Sequence, residues 1–228
     1  CVVTCGNVSS NSSEVTFVQY CTQTGGTDSG VVGVTFGSID NTVGNPFNSA
    51  YANYTSEYQT KVYRSTSYDL SVYIHTGGNF TNYQTVWIDW NQDGDFLDSG
   101  EEYTLGTATN VTNGLSSNCP LSITVPANAV EGNIRMRVLS RYGSAGSSCL
   151  TSFDGEVEDY AVLVRFPHIW TGAVNTAWIN SGNWSSGVVP ISVSEVEIPN
   201  VTNQPVISSA VTISSLTIDA SADITVSS

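Results

Sequence analysis

Period-two alternation of apolar and polar residues runs through most of this chain and decides what it can fold into. In YDLSVYIHTGG (68–78), Leu70, Val72 and Ile74 fall on one face and Ser71, Tyr73 and His75 on the other. LSITVP (121–126) turns Ile123 and Val125 inward, and IRMRVLS (134–140) does the same with Ile134, Met136 and Val138. DYAVLVRF (159–166) places Tyr160, Val162 and Val164 together. Gly, Asn, Asp and Pro interrupt these runs at short intervals, and no stretch carries an amphipathic helical period. PANAVEG (126–132) offers one helical turn at most. Strands with one face to a core and one to water pack as two antiparallel layers, so the expected fold is all-β: an antiparallel, jelly-roll-like β-sandwich.

The pattern changes near RFPHIW (165–170). Beyond it the chain is rich in Trp, Gly, Asn and Ser. Short apolar clusters then follow: Val206/Ile207, Val211/Ile213, Leu216/Ile218 and Ile224/Val226. This spacing suits short stacked rungs better than long hairpins, so a small C-terminal β domain is expected, read as a β-helix fragment. At the other end, VTFVQY (15–20) is strand-like.

Only 11% of the residues are charged, yet the net charge is −14 and the isoelectric point about 4.1. Nucleic acid and anionic lipid are repelled by such a surface, whereas divalent cations and neutral glycans are not. No run of ~18 apolar residues is present, so membrane insertion is not expected. There is neither an initiator Met nor a signal peptide, and the sequence reads as a mature, exported chain. Five cysteines are dispersed with no CxxC pair, which suits disulfides in an oxidising, extracellular or cell-surface location. Cys119 and Cys149 flank one expected strand, and Cys5 and Cys21 flank the N-terminal segment. The expected pairs are therefore Cys119–Cys149 and Cys5–Cys21, leaving Cys1 over. Asn-x-Ser/Thr sequons at Asn7, Asn11, Asn53, Asn79, Asn110, Asn183 and Asn200 would permit glycosylation.

One stretch crowds acids together without a single Lys or Arg: WIDWNQDGDFLDSGEEY (87–103). Asp89, Asn91 and Asp93 followed by Gly94 match the first half of an EF-hand-type loop, in which alternate oxygens converge on one cation and the Gly permits the sharp turn. Asp95 would offer its backbone carbonyl. Position twelve, normally a bidentate acid, is Gly100; Asp98 is tenth and Glu101 follows. VWIDW reads as a strand, so the expectation is a Ca2+ loop between strands, held by Asp89, Asn91, Asp93, Asp95 and Glu101. The competing reading is a solvated acidic turn.

A second acidic stretch is FDGEVEDYAVLV (153–164). Three of the six basic residues, Arg135, Arg137 and Arg141, cluster in or beside IRMRVLSRY. Glu156, Glu158 and Asp159 are therefore expected to form an ion-pair network with Arg135 and Arg137 on neighbouring strands.

Taken in order, VWIDWNQDGDF…GEEY, ITVPANAVEGNIRMRV and GEVEDYAVLV after Cys149 resemble the GEVED domain, found in large secreted and surface proteins of Bacteroidetes-type bacteria. QYC (19–21) and NYTSE (53–57) are similar to its opening. The resemblance covers about residues 17–166 and implies an all-β extracellular module, commonly an accessory to adhesins or secreted proteases. It transfers no catalytic residue. The chain so divides into an N-terminal extension (1–16), a GEVED-like sandwich (17–166) and a small β domain (167–228), which resembles repeats that follow such modules.

The case for an enzyme is thin. His75 and His168 are the only histidines, read as surface residues, and neither HExxH nor GxSxG occurs. Two other classes remain. One is a glycan- or protein-binding accessory module, favoured by eleven Tyr and by five Trp, of which Trp87 and Trp90 flank the acidic loop. The other is a calcium-stabilised structural or adhesin-like protein that self-assembles into a homopolymer, as filaments or surface layers, through its terminal strands. Low charge density and abundant Ser, Thr and Asn favour the second.

Overall fold

The structure, a computed structural model, describes residues 20–21, 24–26, 28–43 and 49–227. The strand-like 15–19, the N-terminal extension, Cys1, Cys5, Asn7 and Asn11 lie outside these residues. Among the described residues thirteen strands precede the boundary. They are β1 (Thr24–Gly25), β2 (Gly30–Phe36), β3 (Ile39–Asp40), β4 (Tyr51–Asn53), β5 (Gln59–Tyr63), β6 (Ser67–His75) and β7 (Thr81–Ile88). After these come β8 (Glu102–Thr109), β9 (Gly114–Leu115), β10 (Leu121–Thr124), β11 (Gly132–Tyr142), β12 (Thr151–Phe153) and β13 (Gly155–Arg165). A 3₁₀ turn at Ser181–Asn183 is the sole helical element among the described residues.

Two sheets form the sandwich. One has the order β10–β6–β2–β3, with β9 also on β6; the other has the order β4–β13–β11–β7–β8, with β5 also on β13. Their pairings are antiparallel except for the short edge strands β4 and β5, which run parallel to β13. The alternation read from the sequence is the alternation of burial. Leu70, Val72, Ile74, Ile123, Val125, Ile134, Met136, Val138, Tyr160, Val162 and Val164 all join one core between the sheets. Each large apolar side chain so buried stabilises the fold by about 1.5–3 kcal/mol.

The outer face of the second sheet is covered too, so its central strands are buried on both sides. Trp87, Leu139 and Val157 meet Phe96 from the acidic loop, Phe153, and the half-buried Tyr20, Tyr51 and Leu150 in a second cluster. The disulfide lies in this cover. It joins Cys21 to Cys149, with Cα atoms 5.6 Å apart. The expected Cys119–Cys149 and Cys5–Cys21 bonds are thereby overturned. Cys119 is a free thiol packed against the inner core, where its sulfur accepts the Val72 N–H at 3.4 Å, whereas Cys149 belongs to the outer cover. Flanking the same strand in sequence does not bring two residues to the same face of a sheet.

Beyond β13 the chain enters a different architecture: β14 (Pro167–Ile169), β15 (Glu195–Ile198), β16 (Val206–Ile207), β17 (Ser215–Ile218) and β18 (Thr225–Val226). β14, β15 and β17 make one parallel sheet, and β16 and β18 a second. The registers Glu195↔Ser215 and Val206↔Thr225 give a rung of about twenty residues. Such parallel stacking is the geometry of a β-helix. Its core is Trp170, Trp178, Trp184, Val196 and Ile198, with the three indole rings within 6.4 Å of one another.

Candidate functional site

The acidic loop connects β7 to β8. Asp89 is fully buried. Its carboxylate accepts the backbone N–H groups of Asp93 (3.3 Å) and Gly94 (3.1 Å) and the Tyr20 hydroxyl (2.6 Å). Gly94 has φ +96°, a conformation strained for any residue with a Cβ. A relay of side-chain-to-backbone turns follows: Asn91 Oδ1 accepts from Asp93 N, Asp93 Oδ1 from Asp95 N, and Asp95 Oδ1 from Leu97 N. The chain therefore curls, and carboxylate oxygens of Asp93, Asp95 and Asp98 lie within 4.8 Å of one another at the surface. Asn91 Nδ2 donates to both Asp93 Oδ2 (2.9 Å) and Asp98 Oδ2 (2.8 Å), placing the positive end of an amide dipole where a cation would otherwise offset the repulsion.

All these donors are hard oxygens, a set that fits Ca2+. Membership nevertheless differs from the sequence expectation. Asp89 is committed to bracing the turn, and Asp98 stands in the cluster. Glu101 is outside it and 2% exposed; its Oε1 accepts the Trp90 N–H at 2.9 Å and its Oε2 has no hydrogen-bond partner. It lines a cavity of about 320 Å3 together with Asn91 and Asp98. Burial, and then the charge of Asp89, push the Glu101 carboxyl up to about 7. The signal for Asp98 was its place at position ten.

The second acidic stretch is split by the pleat. Gly155 opens β13 with φ +142°, and a Cβ there would collide with the Ser140 carbonyl on β11. From that start, residues alternate. Asp159 points outward, opposite Arg137 in the β11–β13 register. Arg137 grips it bidentately (Nε–Oδ1 and Nη2–Oδ2, both 2.8 Å), and Arg135 Nη1 adds a contact at 3.2 Å. Tyr51 donates to the same carboxylate at 2.9 Å. Arg137 Nη1 also donates to the Ser148 carbonyl (2.8 Å) and the Cys21 carbonyl (3.1 Å), so this buried pair holds both ends of the disulfide.

Glu156 and Glu158 are not in that network, which corrects the expectation. They share the inward face of Tyr160 and sit fully buried between the sheets. Glu156 Oε2 accepts the Val31 N–H (3.0 Å), Glu158 Oε2 accepts the Tyr160 hydroxyl (2.6 Å), and Glu156 Oε1 is unpartnered. Burial, with the nearby Glu158 charge, drives the Glu156 carboxyl up to about 9. It is thus a neutral acid at neutral pH.

Other sequence readings change as well. All five tryptophans are buried, so none presents a ring for a sugar to stack on. Asn53, Asn79, Asn110 and Asn200 are exposed, but Asn183 is buried. Its amide donates to Asn175 Oδ1 and the Ala177 carbonyl and its oxygen accepts from Val174 and Asn175, so it cannot carry a glycan in the folded chain. His168 is fully buried where the sandwich meets the rungs. Its Nε2 lies 3.0 Å from Glu131 Oε2 and 3.1 Å from Ser194 Oγ, and its Nδ1 lies 2.9 Å from Ser186 Oγ. That composition is one of a Ser–His–acid triad, but the imidazole is enclosed, and the Ser186 hydroxyl donates to the Val188 carbonyl. Together with Lys61–Glu195 at 2.9 Å, it fastens the two units together.

Comparison with known families matches a GEVED domain over residues 83–163 and a domain of unknown function, DUF8693, over residues 169–228. No curated protein matches the sequence. The first match takes in the acidic loop, β11 and most of β13, and the second covers the stacked rungs; the chain carries a GEVED domain in its sandwich, followed by a DUF8693 domain.

Proposed function

We propose that this chain is a non-enzymatic, extracellular structural or adhesin-like module that is stabilised by calcium at the acidic loop and assembles with copies of itself through its β edges. The observation that carries the reading is the third rung. Among the described residues β17 and β18 end their sheets, and on them Leu216 and Ile218 are each 45% exposed and Val226 75% exposed. A parallel edge of this kind, with unpaired N–H and C=O groups beside apolar side chains, recruits another strand. A contact between this edge and a different part of a second copy is heterologous and propagates unless its rotation closes. Calcium held by Asp93, Asp95 and Asp98, with Asn91 turning its oxygen inward, would neutralise part of the −14 charge that opposes association. Commitment of Asp89, Asp159 and His168 to bracing contacts supports a scaffold more than a catalyst.

Sedimentation velocity tests this. The full chain with millimolar calcium should form oligomers that grow with concentration, and the double variant L216K/I218K should stay folded and monomeric. A monodisperse wild-type monomer at high concentration would overturn self-assembly and favour an accessory module that binds glycan or protein.

A further inference from the structure

We propose that the Cys21–Cys149 bond is a directional site of thiol–disulfide exchange, with the Cys149 sulfur as the point of attack and Cys21 as the leaving thiolate. The two ends of the bond differ in both properties that decide such a reaction: access to the attacked sulfur and stability of the departing one. Cys149 is exposed, whereas Cys21 is half-buried. Arg137 Nη1 lies 3.2 Å from Cys21 Sγ, in a guanidinium only 1% exposed. Arg135 lies 4.2 Å above the ring of Tyr20, the neighbouring residue. Arg137 turns Nη1 to the Cys21 sulfur while its other two nitrogens hold the Asp159 carboxylate, so a cationic donor stands at hydrogen-bond distance from that sulfur. A cation at that distance favours the thiolate, and a thiolate of lowered pKa is the better leaving group.

In the exchange, an incoming thiolate, its proton already lost to solvent, forms a new S–S bond with Cys149 Sγ. The Cys21–Cys149 bond breaks, and its electron pair stays on Cys21 Sγ against Arg137. No net oxidation is required. Tyr20 remains hydrogen-bonded to Asp89, and β1 remains paired to β12, so the step leaves the neighbouring strands attached. The incoming thiol can be a small molecule or a cysteine of a second copy.

The full chain is incubated with glutathione near neutral pH, quenched with acid, alkylated with N-ethylmaleimide and mapped by peptide mass spectrometry. Glutathione should be found on Cys149 and the alkyl group on Cys21, in about tenfold excess over the reverse. R137Q should slow the reaction about tenfold. Should that variant not fold, wild-type rates in sub-denaturing urea decide: local exchange is insensitive to urea, and a rate that follows global unfolding overturns the proposal. A parallel sample without glutathione is run on a non-reducing gel. Covalent dimers joined at Cys149 support a second copy as the thiol; their absence, with the glutathione adduct on Cys149, supports a small thiol. Adducts spread equally over both cysteines, or none in either arm, overturn the proposal.

Discussion

Replacing Glu156 with Gln should stabilise this protein, and by more as the pH rises. The carboxyl shifts from 4.5 to about 9 on folding because its site excludes water and lies beside Glu158. A group whose folded pKa is raised binds a proton in the native state that the unfolded state has already lost. Its contribution is fully present below pH 4.5 and is lost as pH rises through about 9. Each unit in that window removes about 1.4 kcal/mol, so at pH 7.5 the wild type has lost about 4 kcal/mol from this group alone. Gln is isosteric with the neutral acid and does not titrate. Its oxygen can still accept the Val31 N–H, and its amide leaves the same position unpartnered that Glu156 Oε1 does. The swap therefore isolates protonation. Urea unfolding of both proteins from pH 5 to 9, in excess chelator, gives the test. The stability difference should be small at pH 5 and grow to about 4 kcal/mol by pH 7.5. Glu101, raised to about 7, adds a slope of the same sign, but to both proteins equally. A difference independent of pH, or a Gln variant less stable at pH 8 than the wild type, would refute the reasoning.

Asp159→Asn should leave two guanidiniums without their counter-charge and cost about 3–5 kcal/mol in urea unfolding. Chelating calcium should lower the melting temperature and open residues 87–103 to protease. At calcium 100-fold above the dissociation constant the loss is about 2.7 kcal/mol, and the double variant D93N/D98N should abolish the calcium response. Non-reducing peptide mapping should link the peptides of Cys21 and Cys149, and Cys149→Ser should cost about 2–5 kcal/mol. Cys119, whose thiol is pushed up by burial, should react with N-ethylmaleimide only slowly in the native protein.

Alternation alone exposed the inner core where a strand has one apolar and one polar face; Leu70, Val72 and Ile74 needed no tertiary information. The same rule applied to GEVED would have turned Glu156 and Glu158 inward with Tyr160. Charge argued against burial, and the register shows that the pleat prevailed, at the expense of one carboxylate's ionisation. The curl of the acidic loop was legible in Asp89, Asn91, Asp93 and Gly94. The exchange of Asp89 for Asp98 was not, since Asp89 is drawn inward by Tyr20, sixty-nine residues away. Nor was the role of His168, whose partners Glu131 and Ser194 come from both sides of the boundary. Cysteine pairing failed for a related reason: Cys21 reaches Cys149 across 128 residues only because Arg137 and the outer cover bring them together.

That bond also sets how the molecule carries tension. A pull entering the chain at Cys21 and leaving through the rungs passes across the disulfide to Cys149 and then along β13, which runs straight on toward β14. The residues enclosed between the two cysteines, most of the sandwich, are bypassed and carry no load along the backbone. The lateral hydrogen bonds of β13 then resist extension, loaded in shear by β11 on one side and by β4 and β5 on the other. With the bond open, the 128-residue separation would place about 430 Å of extensible chain in series with the load. The same molecule is therefore a stiff link when oxidised and a long, dissipative tether when reduced.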